Sequence, residues 1–166
     1  SADLELMGKA KFFLGPVGNG TRMKLCVNMT MGTMLATYGE ALSLADAAGI
    51  DNAQLLEVLS LGVCNSPLLG LKGAKMIAGD HATNFPLKHA RKDMRLAVDL
   101  GKTVGLGLPI ALSTDVAMKT AMEMDDLAEQ DFSALYESIK TADKMALERL
   151  RFHLQPAEAK SFGIPQ

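Results

Sequence analysis

The stretch from Thr21 to Ala48, closed by Gly49, reads as one uninterrupted helix, and it constrains everything else the chain can do. At 1.5 Å per residue it is roughly 42 Å long, more than one small core normally covers. Its apolar face passes through Leu25, Met29 and Leu42, with Gly32, Ala36 and Gly39 beside them. Small residues at those places let another helix approach closely, either from within the domain or from a second copy of the chain. The remaining segments must therefore be read as elements packed along a rod.

They read as further helices. Asp51-Asn52-Ala53-Gln54 is a capping-box pattern for a short helix closing near Gly62. Ser66-Pro67 supplies an N-cap and an N1 proline for another, stopped at Gly79. After a loop through Asp80 to Asn84, a helix runs from Pro86 to about Val104. It places Leu87, Ala90, Met94, Ala97, Val98 and Gly101 on one stripe and Lys88, Lys92, Arg95, Asp99 and Lys102 on the other. Pro109 opens a helix to about Met124, and Asp131 caps a last one reaching towards Leu154. Composition agrees, since Val and Ile are sparse beside Ala, Leu and Met, and the eleven Met with no Trp make an adaptable aliphatic core. The expected fold is all-α: a multi-helix domain built around one long helix.

The charge balance of −2 gives no electrostatic case for nucleic acid or a membrane surface, and no apolar run reaches the ~20 residues of a membrane span. Cys26 and Cys64 show no CxxC spacing and read as buried free thiols. His81, His89 and His153 lack metal-ligand spacing, so no metal is expected.

The chemistry concentrates just before and inside the long helix. Gly15-Pro16-Val17-Gly18-Asn19-Gly20 runs G-x-x-G-x-G, not the G-x-G-x-x-G of a dinucleotide loop, and no second strand with an acidic end follows. The chain thus holds no dinucleotide site of its own. Lys24 and Asn28 lie one turn apart on one helix face, able to hold a polar, oxygen-bearing ligand between them.

The motif Gly18-x-Gly20-x-x-x-Lys24-x-x-x-Asn28 resembles the catalytic motif of the β-hydroxyacid dehydrogenase family. That family includes 3-hydroxyisobutyrate dehydrogenases and glyoxylate/succinic semialdehyde reductases. Met7-Gly8-Lys9 and Phe12-Phe13-Leu14-Gly15 resemble the lead-in to that motif. Phe85, then Lys92 to Ala97, then Pro109, follow at the family's spacing, and Asp131-Phe132-Ser133-Ala134 resembles its closing helix. The likeness runs from about Ala2 to Lys140.

The resemblance implies an NAD(P)-binding Rossmann domain ahead of a helical one. Residues 1–14, with the strand-like Lys11-Phe12-Phe13-Leu14, then read as a remnant of the first, 15–154 as the helical catalytic and dimerisation domain, and 155–166 as a mobile tail. Lys24 takes the role of proton donor and Asn28 orients the substrate oxygen. Gly18 and Gly20 let the backbone approach the substrate, Lys92 closes over the cofactor, Phe85 is an apolar wall, and Asp93 lines the substrate cleft as an orienting group. Reduction of a carbonyl needs hydride from the cofactor and a proton from a positioned acid. An ammonium desolvated beneath a nicotinamide ring suits the second task.

The expected function is reduction of a small semialdehyde or 2-oxo acid, a carboxylate substrate, with NADPH placed ahead of NADH. The lead-in and the run from Lys24 to Tyr38 look most similar to glyoxylate/succinic semialdehyde reductases. The alternatives are a 3-hydroxyisobutyrate dehydrogenase and a non-catalytic helical dimerisation module, for which Lys24 is the discriminating residue. The expected setting is a homodimer or higher homo-oligomer, cytoplasmic or imported into an organelle if a transit peptide precedes, and inactive without the cofactor half.

Overall fold

The computed structural model describes residues 9–124 and 126–141. Among these the order is α1 (Asn19–Ala47), α2 (Asn52–Leu61), α3 (Pro67–Ala78), α4 (Leu87–Thr103), α5 (Pro109–Met122), a 3-10 turn (Phe132–Ala134) and α6 (Leu135–Thr141). The all-α expectation holds, and most helix ends fall where the sequence marks them. Asp51 accepts from the amides of Ala53 and Gln54, and Ser66 from that of Leu69. At the far end of α1, Gly49 adopts φ 73°, and Ile50 N bonds Ala45 O while Gly49 N bonds Asp46 O. This is the paired closure that a left-handed residue after a helix allows. Gly79 and Gly105 end α3 and α4 in the same way.

Three expectations are corrected. Lys11–Leu14 forms no strand, and no strand exists among the described residues, because an extended segment has no ladder partner here. Helix α1 begins at Asn19, so Gly20 stands inside its first turn and Gly18, at φ 98°, is the residue where the chain turns into it. Cys26 and Cys64 are exposed rather than buried. The expected helix to Leu154 is described only as far as Thr141, and the tail 155–166 and His153 lie outside the described residues.

Helix α1 is the central rod, with α2, α3, α4, α5 and α6 all packed along it. Leu35 and Leu42 are fully buried at its inner face, among Met76 of α3, Leu87 and Met94 of α4, Met118 of α5 and Leu135 of α6. The small residues serve this packing and not an outward stripe. A Cβ on Gly32 would come within 2.6 Å of Met94 Cε, and one on Gly39 within 2.8 Å of Ile139 Cδ1. Five helices share the rod, while Met23, Val27 and Leu44 along it stay exposed. The loop before α4 is fastened to the segment before α6: Phe132 N donates to Phe85 O, Leu87 N to Gln130 O, and Asp131 N to His81 O.

Candidate active site

Helix α1 delivers Lys24 and Asn28 near its open N-terminal end, and α4, packed beside it, delivers Lys92 and Asp93. The four meet on one carboxylate. Asp93 Oδ2 accepts from Asn28 Nδ2 at 2.6 Å and from Lys24 Nζ at 3.0 Å, while Oδ1 takes Lys92 Nζ at 2.9 Å. Asp93 is 2% exposed, on the inward stripe of α4 with Met94 and Ala97. Burial alone would push its carboxyl upward. The hydrogen bonds from Lys92, Lys24 and Asn28, with the charge of Lys92, overcome that and hold it at about 2. It is therefore ionised at any working pH.

The two ammonium groups stand differently from the carboxylate. The side chains of Lys24 and Lys92 are 57% and 48% exposed, so each reaches from a buried anchor into open space. One carboxylate against two lysines leaves the group one positive charge in excess, which suits an anionic ligand. The Asn28 amide is oriented by the same logic. Its nitrogen faces a carboxylate that can only accept, so its second N–H and its carbonyl remain free for a ligand. Nothing stands within 4 Å of a Cβ built on Gly18 or Gly20, so backbone at the head of α1 is open to close approach.

Lys24, Asn28, Lys92 and Asp93 are in direct contact. Phe85 is half-buried, edge-on to Phe132 with ring centroids 5.8 Å apart, and its amide is bound to Asp131. No described contact joins Phe85 to the lysines.

Sequence reasoning did not single out the second polar cluster. Lys72, 5% exposed on α3, donates to Asp131 Oδ1 at 2.8 Å. The signal available was Lys72 among the apolar residues Leu68 to Ile77, where burial of a charge demands a partner; Lys75 in the same run is partly exposed and pairs with Asp80. A neighbouring chain joins Ser133 Oγ to His81 Nδ1 and His81 Nε2 to Glu137 Oε1, each at 3.0 Å. It has the composition of a nucleophile–base–acid relay, yet Ser133 is 0% exposed and out of reach of any substrate. Its role is to clamp the turn before α6. Among the described residues no three His, Cys, Asp or Glu side chains gather as metal ligands, and no helix is long and apolar enough to cross a membrane.

Residues 18–139 match the family described as the NAD-binding domain of NADP-dependent 3-hydroxyisobutyrate dehydrogenase. The chain is 47% identical over 139 residues to glyoxylate/succinic semialdehyde reductase 2, chloroplastic, of Arabidopsis thaliana, covering 84% of this chain and 38% of that protein. It is also 41% identical over 104 residues to the human cytokine-like nuclear factor N-PAC, covering 63% of this chain and 19% of that one. In fold it superposes on a 3-hydroxyisobutyrate dehydrogenase of Mycobacterium tuberculosis, solved with L-serine, at a TM-score of 0.72 and 24% identity, over 82% of this chain and 49% of that one. The chain thus spans half or less of the length of each. With the glycine turn, the paired lysines and the helical rod all inside the matched region, the chain belongs to the 3-hydroxyisobutyrate dehydrogenase-like family.

Proposed function

We propose that this chain is the catalytic helical half of an NAD(P)-dependent reductase that converts a small semialdehyde or 2-oxo acid, of the glyoxylate or succinic semialdehyde type, to its hydroxy acid. The observation that carries the reading is the convergence of Lys24 and Asn28 on the buried Asp93 carboxylate, with Lys24 still half open to a ligand. The relative of highest identity quoted above is named for those two substrates, and the matched family's description names an NADP-dependent dehydrogenase, which makes NADPH the preferred reading of the cofactor.

The residues fit the nicotinamide end of such a cofactor and not its phosphates. Lys92, flanking the carboxylate with its ammonium half exposed, would close over it from the helical side, and Phe85 would wall it. For the diphosphate, Gly15 to Gly20 lacks the G-x-G-x-x-G order of a dinucleotide loop. When bound, the cofactor supplies the hydride.

The chain's own part is the proton. Asp93 holds the Lys24 ammonium in a fixed direction with one N–H, leaving two for the substrate carbonyl oxygen. As negative charge grows on that oxygen, Lys24 stabilises it and then transfers a proton, becoming a neutral amine. The free N–H of Asn28 fixes the same oxygen. Half exposed, Lys24 is not desolvated by this chain alone, so the covering surface must come from the nucleotide-binding half or from the substrate.

The test is Lys24→Ala in the complete enzyme. We expect kcat to fall by roughly 10²- to 10⁴-fold with a smaller effect on cofactor affinity. Turnover within a few-fold of the unaltered enzyme overturns the assignment. A second reading, a non-catalytic helical module, is favoured by the N-PAC match alone. It would be supported by a complete parent protein that binds its partners yet reduces no semialdehyde.

A further inference from the structure

Asp131 is 1% exposed, and both its oxygens are fully engaged. Oδ1 accepts from Lys72 Nζ at 2.8 Å and from Ser133 N at 3.1 Å; Oδ2 accepts from Asn84 N at 3.0 Å and Phe85 N at 3.1 Å. Lys72 also donates to Asn84 Oδ1 at 3.2 Å and stands 5.3 Å from the centre of the Phe132 ring. Phe132 in turn binds Phe85 O through its amide and meets the Phe85 ring edge-on.

Only the Ser133 bond is needed to cap the turn before α6. The bonds to Asn84 and Phe85 reach 46 residues or more back along the chain. A buried ion pair is seldom more stabilising than apolar side chains of equal volume, so the pair is better explained by what it orients. What it orients is Phe85: its N–H, its carbonyl and its ring are all held by Asp131 and Phe132. We propose that Asp131, neutralised by Lys72, is a positioning residue for the active site, fixing the Asn84–Phe85 backbone so that the Phe85 ring stands as a wall of the cofactor cleft. The inference rests on the reading given under Proposed function, in which Phe85 lines that cleft.

A merely structural anchor and a positioning residue differ in how they couple to Phe85. Asp131→Asn would be made in the complete enzyme, alone and together with Phe85→Ala, and KM and kcat measured for NADPH and for the semialdehyde. The expected result is a rise in KM of roughly tenfold for the single variant, as for a misplaced contact, and less than twofold when added to Phe85→Ala. The same factor in both backgrounds, or an unchanged KM, overturns the proposal.

A readout free of cofactor is amide exchange in this 166-residue chain. Asp131→Asn should lower protection at Asn84 and Phe85 at least tenfold while Met94 in α4 keeps its own. Unchanged protection at Asn84 and Phe85 overturns the proposal. Should Asp131→Asn fail to fold, the pair Lys72→Met with Asp131→Asn, which removes both buried charges, takes its place against the same criteria. Full turnover of Lys24→Ala would overturn the proton-donor reading while leaving the Asp131 comparison intact. A parent without reductase activity overturns both.

Discussion

At the scale of single residues, the site is organised by its acid rather than by its lysines. The folded Asp93 titrates at about 2 against 3.8 for an unperturbed carboxyl. Its stabilisation is therefore fully present above pH ~4 and is lost as the pH falls through ~2, the sense expected for a depressed carboxylate. Asp93→Asn should lower the unfolding free energy at pH 7 by about 2 kcal/mol, and the gap should close as urea unfolding is repeated between pH 4 and pH 2. A gap independent of pH would mean that packing, and not charge, ties α4 to α1. Lys24, Asn28, Lys92 and Asp93 were legible in the sequence because helical spacing and a motif kept in register survive without coordinates. Asp131 was legible as a helix cap, but its pairing with Lys72 was not, because 59 residues separate the two and no local pattern marks one as the partner of the other.

At the scale of elements, helix boundaries were legible where a side chain or a left-handed glycine closes them, as at Asp51, Ser66, Gly49 and Gly79. The strand expected at Lys11–Leu14 failed for the complementary reason: a helix satisfies its own backbone, whereas a strand needs a neighbour. The amphipathic reading of α4 was right to its last turn, where Gly101 is buried. A Cβ there would lie 2.8 Å from Leu106 O and 2.9 Å from Leu108 Cδ1, and the first of these is backbone that cannot step aside. Gly101→Ala should cost about 1–3 kcal/mol in thermal or urea unfolding. Gly70→Ala, in open space within α3, should instead stabilise by about 0.5–1 kcal/mol. Equal effects at the two positions would contradict the packing described for the α4–α5 corner.

At the scale of the whole molecule, the expectation of self-association rests on a different footing from the one the sequence supplied. Gly32 and Gly39 are used within the chain, so they offer no docking stripe. Large apolar side chains nevertheless stand in the open: Phe12 and Phe13 before α1, Val58 and Leu61 on α2, Ile110 and Val116 on α5. Exposed apolar surface of this kind drives association. Light scattering at tens of micromolar should show a dimer or larger species, and a clean monomer would mean that these side chains are covered by nothing of this chain's own kind.

One consequence of the central rod concerns length. Helix α1 carries Lys24 and Asn28 at one end and the fully buried Leu35 and Leu42 further along. Each residue added or removed between Asn28 and Leu35 would rotate one group against the other by about 100°. The lysine would leave the carboxylate while every core contact stayed formed, or the reverse. Across relatives, then, insertions and deletions should be admitted freely in the connections and shut out of that single helical turn and its neighbour, whatever the side chains there become.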